Sequence, residues 1–316
     1  MPIVPATPDA IRRAAQALAR GEIVAFPTET VYGLGANALD ARAVAKVFAA
    51  KERPRFNPLI VHVSHLAEAG EYGLANGATR TLAEAFWPGP LTLVLKRRST
   101  CAVADLVSAG LDTIALRAPA HPIAQALLAK AALPIAAPSA NRSGRLSPTA
   151  AAHVEAELGD LPVMILDGGP SPLGIESTVV SVAGKEPALL RPGAIAREAI
   201  ESVLRTRLAA ASGPERETSP GQQPRHYAPH TPLRLDAVTV SSDEALLAFG
   251  GNVPTHARAT INLSPNGNLE EAAAKLFAAL RELDQAGVKT IAVMPIPATG
   301  LGEAINDRLR RAADRG

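Results

Sequence analysis

Short apolar runs, each cut off by a polar cluster, recur along this chain and alternate with stretches of helical spacing. The runs fall at residues 22–26, 59–63, 91–96, 113–116, 134–137, 163–166 and 178–182, and several are rich in Val and Ile, as buried strands are. Between some of them lie helical patterns. Thr7-Pro8-Asp9 starts the first, with Thr7 as cap and Pro8 at the first helical position, and Gly21 closes it. Asp40 caps a second helix, with Val44, Val47 and Phe48 on its apolar face, running to about Lys51. Others are predicted at 79–86, 122–132 and 149–158. Helices interleaved with strands require an α/β layer structure, and strands that follow one another without a helix between make the sheet mixed. With 47% hydrophobic residues, the chain has the material for such cores, drawn from Ala, Val, Leu and Ile because aromatics are only 3%.

The pattern breaks at 206–232, where Pro, Gly and polar residues remove all periodicity. Beyond it, strands are expected at 233–240, 257–263 and 290–295 and helices at 269–286 and 301–315. The chain therefore divides into residues 1–205, a linker or lid at 206–232, and a small second α/β unit at 233–316. A net charge of +2 confines any nucleic-acid surface to a local patch. The lone Cys101 excludes a disulfide framework or a thiolate zinc cluster within one chain. The N-terminus lacks the pattern of a secretory signal, and no apolar run has membrane-spanning length, so a soluble, cytoplasmic protein is expected.

Chemistry-bearing residues cluster where the apolar runs stop. Pro27-Thr28-Glu29-Thr30-Val31-Tyr32-Gly33-Leu34-Gly35 reads either as a polar turn or as backbone and hydroxyls brought close to a ligand. Its Gly33-x-Gly35-x-x-Ala38 sits too far past Phe26 for a dinucleotide fingerprint. Lys51-Glu52-Arg53-Pro54-Arg55-Phe56-Asn57 reads as a solvated basic loop or as a polyphosphate site. Arg117 ends one strand, and Ser139 and Asn141 follow another, on the side where open α/β sheets bind ligands. Glu176-Ser177 opens a strand, and Arg191 stands between an apolar pair and Pro-Gly. His226 and His230 have the spacing of metal ligands, but Pro229 prevents a shared helical face, so no metal site is expected; the Tyr227-His226 pair reads as part of a lid. No Gly-x4-Gly-Lys-Ser/Thr loop, cysteine nucleophile elbow or His-Glu-x-x-His is present.

In this order the segments resemble the threonylcarbamoyl-AMP synthase family in its longer form, a YrdC-like domain followed by a linker and a small C-terminal domain. The matching stretches are PTETVYGLG (27–35), KERPRFNPLIVH (51–62), WPGPLTLVL (87–95), AGLDTIALRAPAHP (109–122), PIAAPSANRSG (134–144), GIESTVVSV (174–182), LLRPG (189–193), HYAPHTPL (226–233) and GLGEAINDRLRRAA (300–313). The resemblance implies an open twisted mixed sheet with flanking helices, plus a small Rossmann-like C-terminal domain. It implies condensation of L-threonine, bicarbonate or CO2, and ATP into threonylcarbamoyl-AMP and pyrophosphate, for N6-threonylcarbamoyladenosine in tRNA. It assigns L-threonine to Thr30, His62, Arg117, Ser177 and the backbone at Ala137. ATP falls to Arg53, Asn57, Thr113, Ser139, Asn141, Ser147, Arg191 and Tyr227. Lys51 and Arg53 carry the catalytic signature. Mg2+ is expected with ATP, and RNA and the tRNA threonylcarbamoyl-transfer machinery are expected partners. One departure is Pro220-Gly221-Gln222-Gln223-Pro224-Arg225, where the family often has Pro-Gly-Met-x-Tyr. The competing class is a non-catalytic RNA-binding module, which basic loops also suit but scarce aromatics do not.

Overall fold

The computed structural model describes residues 3–210 and 226–314. Its larger sheet is formed by β1 (Ile3–Pro5), β2 (Val24–Phe26), β3 (Gly33–Asn37), β4 (Ile60–His62), β5 (Leu91–Lys96), β6 (Thr113–Arg117), β7 (Ile135–Ala136), β8 (Met164–Asp167), β9 (Thr178–Ser181), β10 (Ala188–Arg191) and β11 (Ala209–Ala210). These eleven strands lie in the order β1-β8-β2-β3-β7-β4-β6-β5-β9-β10-β11, with parallel and antiparallel neighbours mixed. The helices of this part are α1 (Pro8–Ala19), α2 (Ala41–Lys51), α3 (Leu66–Tyr72), α4 (Gly77–Phe86), α5 (Asp105–Ser108), α6 (Pro122–Ala131), α7 (Ala151–Leu158) and α8 (Arg197–Leu204). The Thr7 hydroxyl accepts from Ala10 N at 3.2 Å and the Asp40 carboxylate from Arg42 N at 2.8 Å, so both expected caps close their helices. The main core lies between helices and sheet, joining Val44, Val47 and Phe48 of α2 to Leu34, Val61, Leu93 and Leu116 of the strands.

A second, four-stranded sheet contains β12 (Leu233–Arg234), β13 (Glu244–Ala248), β14 (Ala259–Asn262) and β15 (Thr290–Val293), ordered β12-β15-β13-β14 and wholly parallel. Helices α9 (Leu269–Asp284) and α10 (Leu301–Ala313) pack on it. The wholly parallel pairing fits the Rossmann-like expectation, although only β14 and β15 are joined through a helix, α9.

Three readings need correction. The Gly33-to-Gly35 segment is no turn: it forms β3, paired antiparallel with β2 and β7. The strand expected at 233–240 stops at Arg234. The strand in the middle of the second sheet, β13, lies in Glu244-Ala-Leu-Leu-Ala, which has no β-branched residue and no alternation, yet is buried between two parallel neighbours. Burial on both sides outweighs its weak strand propensity.

Candidate active site

Strand register builds the site. His62 of β4 stands opposite Arg117 of β6. Extending the β5–β6 register by one residue puts Thr92 opposite Arg117; Thr92 faces Val179 of β9, and Val179 faces Arg191 of β10. Directly paired residues project from the same face, so one transverse row carries His62, Arg117, Thr92 and Arg191. Two residues before Val179, Ser177 returns to that face, and its hydroxyl lies 2.8 Å from Thr92 Oγ1.

This face floors a cleft with about 570 Å3 of empty space, the open solvent at its mouth included. Of the residues expected to form a site, Thr30, Arg53, His62, Arg117, Ala137, Ser139, Ser177, Arg191 and Tyr227 line it together. Lys51, Asn57, Thr113, Asn141 and Ser147 do not. Lys51 is fully buried behind the wall, where its ammonium donates to the carbonyls of Ser139 (2.5 Å) and Asn141. Burial and the neighbouring Arg53 charge hold its pKa well below the usual lysine value. The Ser147 hydroxyl is turned to Glu176. Asn57 is buried with both side-chain polar atoms unpartnered among the described residues, and its carbonyl accepts from Arg53 Nε at 3.2 Å. Thr113 begins the strand that ends at Arg117.

The cleft is electropositive. Arg53 Nη2 donates to the Pro58 carbonyl at 3.0 Å, so this guanidinium spends its hydrogen bonds on backbone oxygens and keeps its charge for an anion. Burial brings its pKa down to about 10, which leaves it charged at neutral pH. Arg191 donates to the Ser177 carbonyl at 2.8 Å and to the Ser177 hydroxyl at 3.2 Å. Arg117 is held from three sides: Nε to the Gly89 carbonyl at 3.3 Å, Nη1 to Thr30 Oγ1 at 2.9 Å, and Nη2 2.6 Å from Glu29 Oε1. The contact with Glu29 is an ion pair only: Arg117 Nη2 and both Glu29 oxygens are buried without a hydrogen-bond partner among the described residues. Burial is the largest influence on Glu29 and opposes its charge, but the Arg117 guanidinium and backbone N–H groups together outweigh it and hold the carboxyl below its ordinary pKa. His62 is driven down to about 3, first by burial and then by the Arg117 charge, and is neutral at physiological pH.

Two carboxylates escaped the sequence reading. Glu29 and Glu176 were visible only as acids among hydroxyl and apolar residues at strand ends, and their arginine partners lie far off in sequence. His226, expected from the sequence in a lid, is buried, lies edge-on to Tyr227 with ring centres 3.9 Å apart, and lines the cleft. His226 Nδ1 and the Tyr227 hydroxyl are buried and without a hydrogen-bond partner among the described residues. Residues 211–225 of the linker, including Pro220 to Arg225, lie outside the described residues.

Residues 16–193 match a family model described as "Telomere recombination", and residues 195–314 match "Threonylcarbamoyl-AMP synthase, C-terminal domain". The chain is similar to the threonylcarbamoyl-AMP synthase of Bacillus subtilis, with 43% identity over 96% of this chain and 92% of that one. It is also similar to the synthase of Pyrococcus abyssi, with 41% identity over 96% and 94%. In structure it resembles the crystal structure of P. abyssi Sua5 complexed with L-threonine, at a TM-score of 0.87 and 37% identity, covering 97% of this chain and 95% of that one.

Proposed function

Since the chain belongs to the threonylcarbamoyl-AMP synthase family, we propose that its cleft condenses L-threonine, bicarbonate or CO2, and ATP into threonylcarbamoyl-AMP. The amine of threonine loses a proton as it adds to CO2. A carbamate oxygen then forms a bond to the α-phosphorus, and pyrophosphate leaves. The observation that carries this reading is the register row with its neighbours: Arg53, Arg117, Ser139, Ser177 and Arg191, from distant segments, share one cavity.

Arg117, which lines the cleft, holds the threonine carboxylate by its charge, beside Ser177, Thr30, neutral His62 and the backbone at Ala137. ATP lies toward Arg53, Asn57, Thr113, Ser139, Asn141, Ser147, Arg191 and Tyr227. No nucleophilic side chain is required: catalysis comes from alignment and from cations aimed at the charge that develops on phosphate. Arg53 faces that charge, and Lys51 positions the Ser139–Asn141 loop through its carbonyls. Mg2+ would enter with the ATP phosphates. The residues do not fit a protein-held ion, because the carboxylate on the cleft wall, Glu176, is engaged by Ser147 and Arg308 and the lining charges are otherwise cationic.

In this reading residues 1–205 are the catalytic domain, 206–232 the connecting segment and 233–316 the accessory domain. The product serves N6-threonylcarbamoylation of tRNA, which makes RNA and the transfer machinery downstream partners and the cytoplasm the place of action. Among the described residues no helix is long and apolar enough to cross a membrane.

The test is incubation with ATP, bicarbonate and each of several amino acids, with mass detection of the adenylate and measurement of pyrophosphate. Threonine should be the preferred acceptor, and Arg53→Ala should lower threonine-dependent pyrophosphate release by about a hundredfold or more while circular dichroism is unchanged. Release that ignores the amino acid, or an undiminished rate in the variant, would overturn the assignment.

A further inference from the structure

The motif GLGEAINDRLRRAA sits in α10, at the far end of the chain, and one of its side chains reaches the cleft wall. Arg308 is fully buried. Its Nε donates to Glu176 Oε2 at 2.8 Å, its Nη2 to the Pro192 carbonyl at 3.0 Å, and its Nη1 to Asp307 at 2.6 Å. The guanidinium carbon also lies 5.0 Å from the centre of the Tyr227 ring, in cation–π range. One planar group thus touches three segments around the cleft: Glu176, the residue after Arg191, and Tyr227. Glu176 and Tyr227 both line the cleft, and the second oxygen of Glu176 accepts the Ser147 hydroxyl.

We propose that Arg308 of the C-terminal unit is a positioning residue for the nucleotide side of the synthase cleft, acting through Glu176 and Tyr227. The proposal rests on the synthase reading above, which puts ATP beside Ser147, Arg191 and Tyr227.

Adhesion between the two units does not explain an arginine here. Val31, Leu146, Ile175 and Tyr227 already enter one apolar core with Leu276, Phe277, Leu280 and Leu309. A buried ion pair adds little stability over an apolar side chain of similar volume, because desolvation offsets the attraction. What the arginine supplies is direction. Tyr227 has φ of 63°, a left-handed backbone that a tyrosine rarely adopts, and is fixed between Arg308 and a stacked Phe277 at 5.5 Å. Its buried hydroxyl has no hydrogen-bond partner among the described residues, and Tyr227 lines the cleft. The threonine-side residues Thr30, His62, Arg117 and Ser177 receive no hydrogen bond from Arg308, whose partners are Glu176, Asp307 and Pro192, so the two substrates should respond differently.

The experiment compares the full-length protein with Arg308→Met, Arg308→Lys and, as a control on the exposed side of the same helix, Arg310→Met. KM for ATP should rise about tenfold or more in Arg308→Met, as expected for losing hydrogen bonds between charged groups, while KM for threonine moves less than about twofold. Arg308→Lys, which keeps the charge without the fork, should fall between, and Arg310→Met should match the parent. If Arg308→Met does not fold, Arg308→Lys reads the same split. Equal KM values with only fewer active molecules, or a threonine KM that rises as far as that of ATP, would reduce Arg308 to a structural contact and overturn the proposal. Calorimetric titration with ATP keeps this separate from the function itself. A parent protein that binds ATP but makes no adenylate sinks the synthase reading; equal ATP affinity in parent and variant sinks the role of Arg308.

Discussion

His62 illustrates what burial does to a single side chain at this site. It is neutral in the folded protein down to about pH 3, whereas an exposed histidine in the unfolded chain takes up a proton near pH 6.5. Between those values the unfolded state binds more protons, so this histidine makes the protein less stable as pH falls, with each pH unit worth about 1.4 kcal/mol. On urea unfolding, the loss of stability between pH 7 and pH 4.5 should be smaller in His62→Gln than in the parent by about 2–3 kcal/mol. Equal losses would show that His62 is not held neutral. Arg117 and Arg191 could be picked out in the sequence because a cation at the end of an apolar strand is conspicuous, and Arg53 because it lies in a run of basic residues stiffened by proline. The hydrogen-bonded roles of Lys51 and Ser147 could not: the carbonyls of Ser139 and Asn141 and the carboxylate of Glu176 come from other segments.

Strand β3 shows why local propensity misread an element. Gly33-Leu34-Gly35 looks like a turn because glycine costs entropy and offers no side chain to pack. The fold uses that missing side chain. A Cβ on Gly35 would lie 2.7 Å from Ile135 Cγ2 and 2.8 Å from Phe26 Cε1, so glycine is what lets β3 fit between β2 and β7 beneath the Phe26 ring. Gly35→Ala should destabilise the protein by about 1–3 kcal/mol through overpacking, read as a lower urea midpoint, and an unchanged midpoint would contradict this packing. The helices were easier to place. Thr7 and Asp40 cap their own chain within three residues, and the apolar face of α2 repeats at the helical period.

The two units are joined as closely as parts of one core. Gly174 has φ of +63°, and a Cβ there would come within 2.3–2.6 Å of the Ala274 backbone in α9, so the loop before Glu176 and Ser177 lies directly on the C-terminal unit. Arg281 of α9 pairs with Glu157 at 2.9 Å, and Arg197 of α8 pairs with Glu303 of α10 at 2.5 Å. Gly174→Ala combines a clash with backbone strain. It should cost about 1–3 kcal/mol of stability and reduce adenylate formation along with it, measured by urea unfolding and mass detection. Parent-like activity and stability together would mean that the units can separate without disturbing the cleft.

Reading along the chain was enough to establish alternating helices and strands, a mixed sheet, and polar residues gathered where strands stop, since each is a pattern within a few neighbouring positions. Folding settled which strands lie side by side, that a glycine-rich segment becomes a strand, and that Arg308 meets Glu176 across 132 positions. The reason is range: caps and periodicity act within a turn or two of backbone, whereas strand order and buried charge pairs depend on contacts that exist only once the chain has closed on itself.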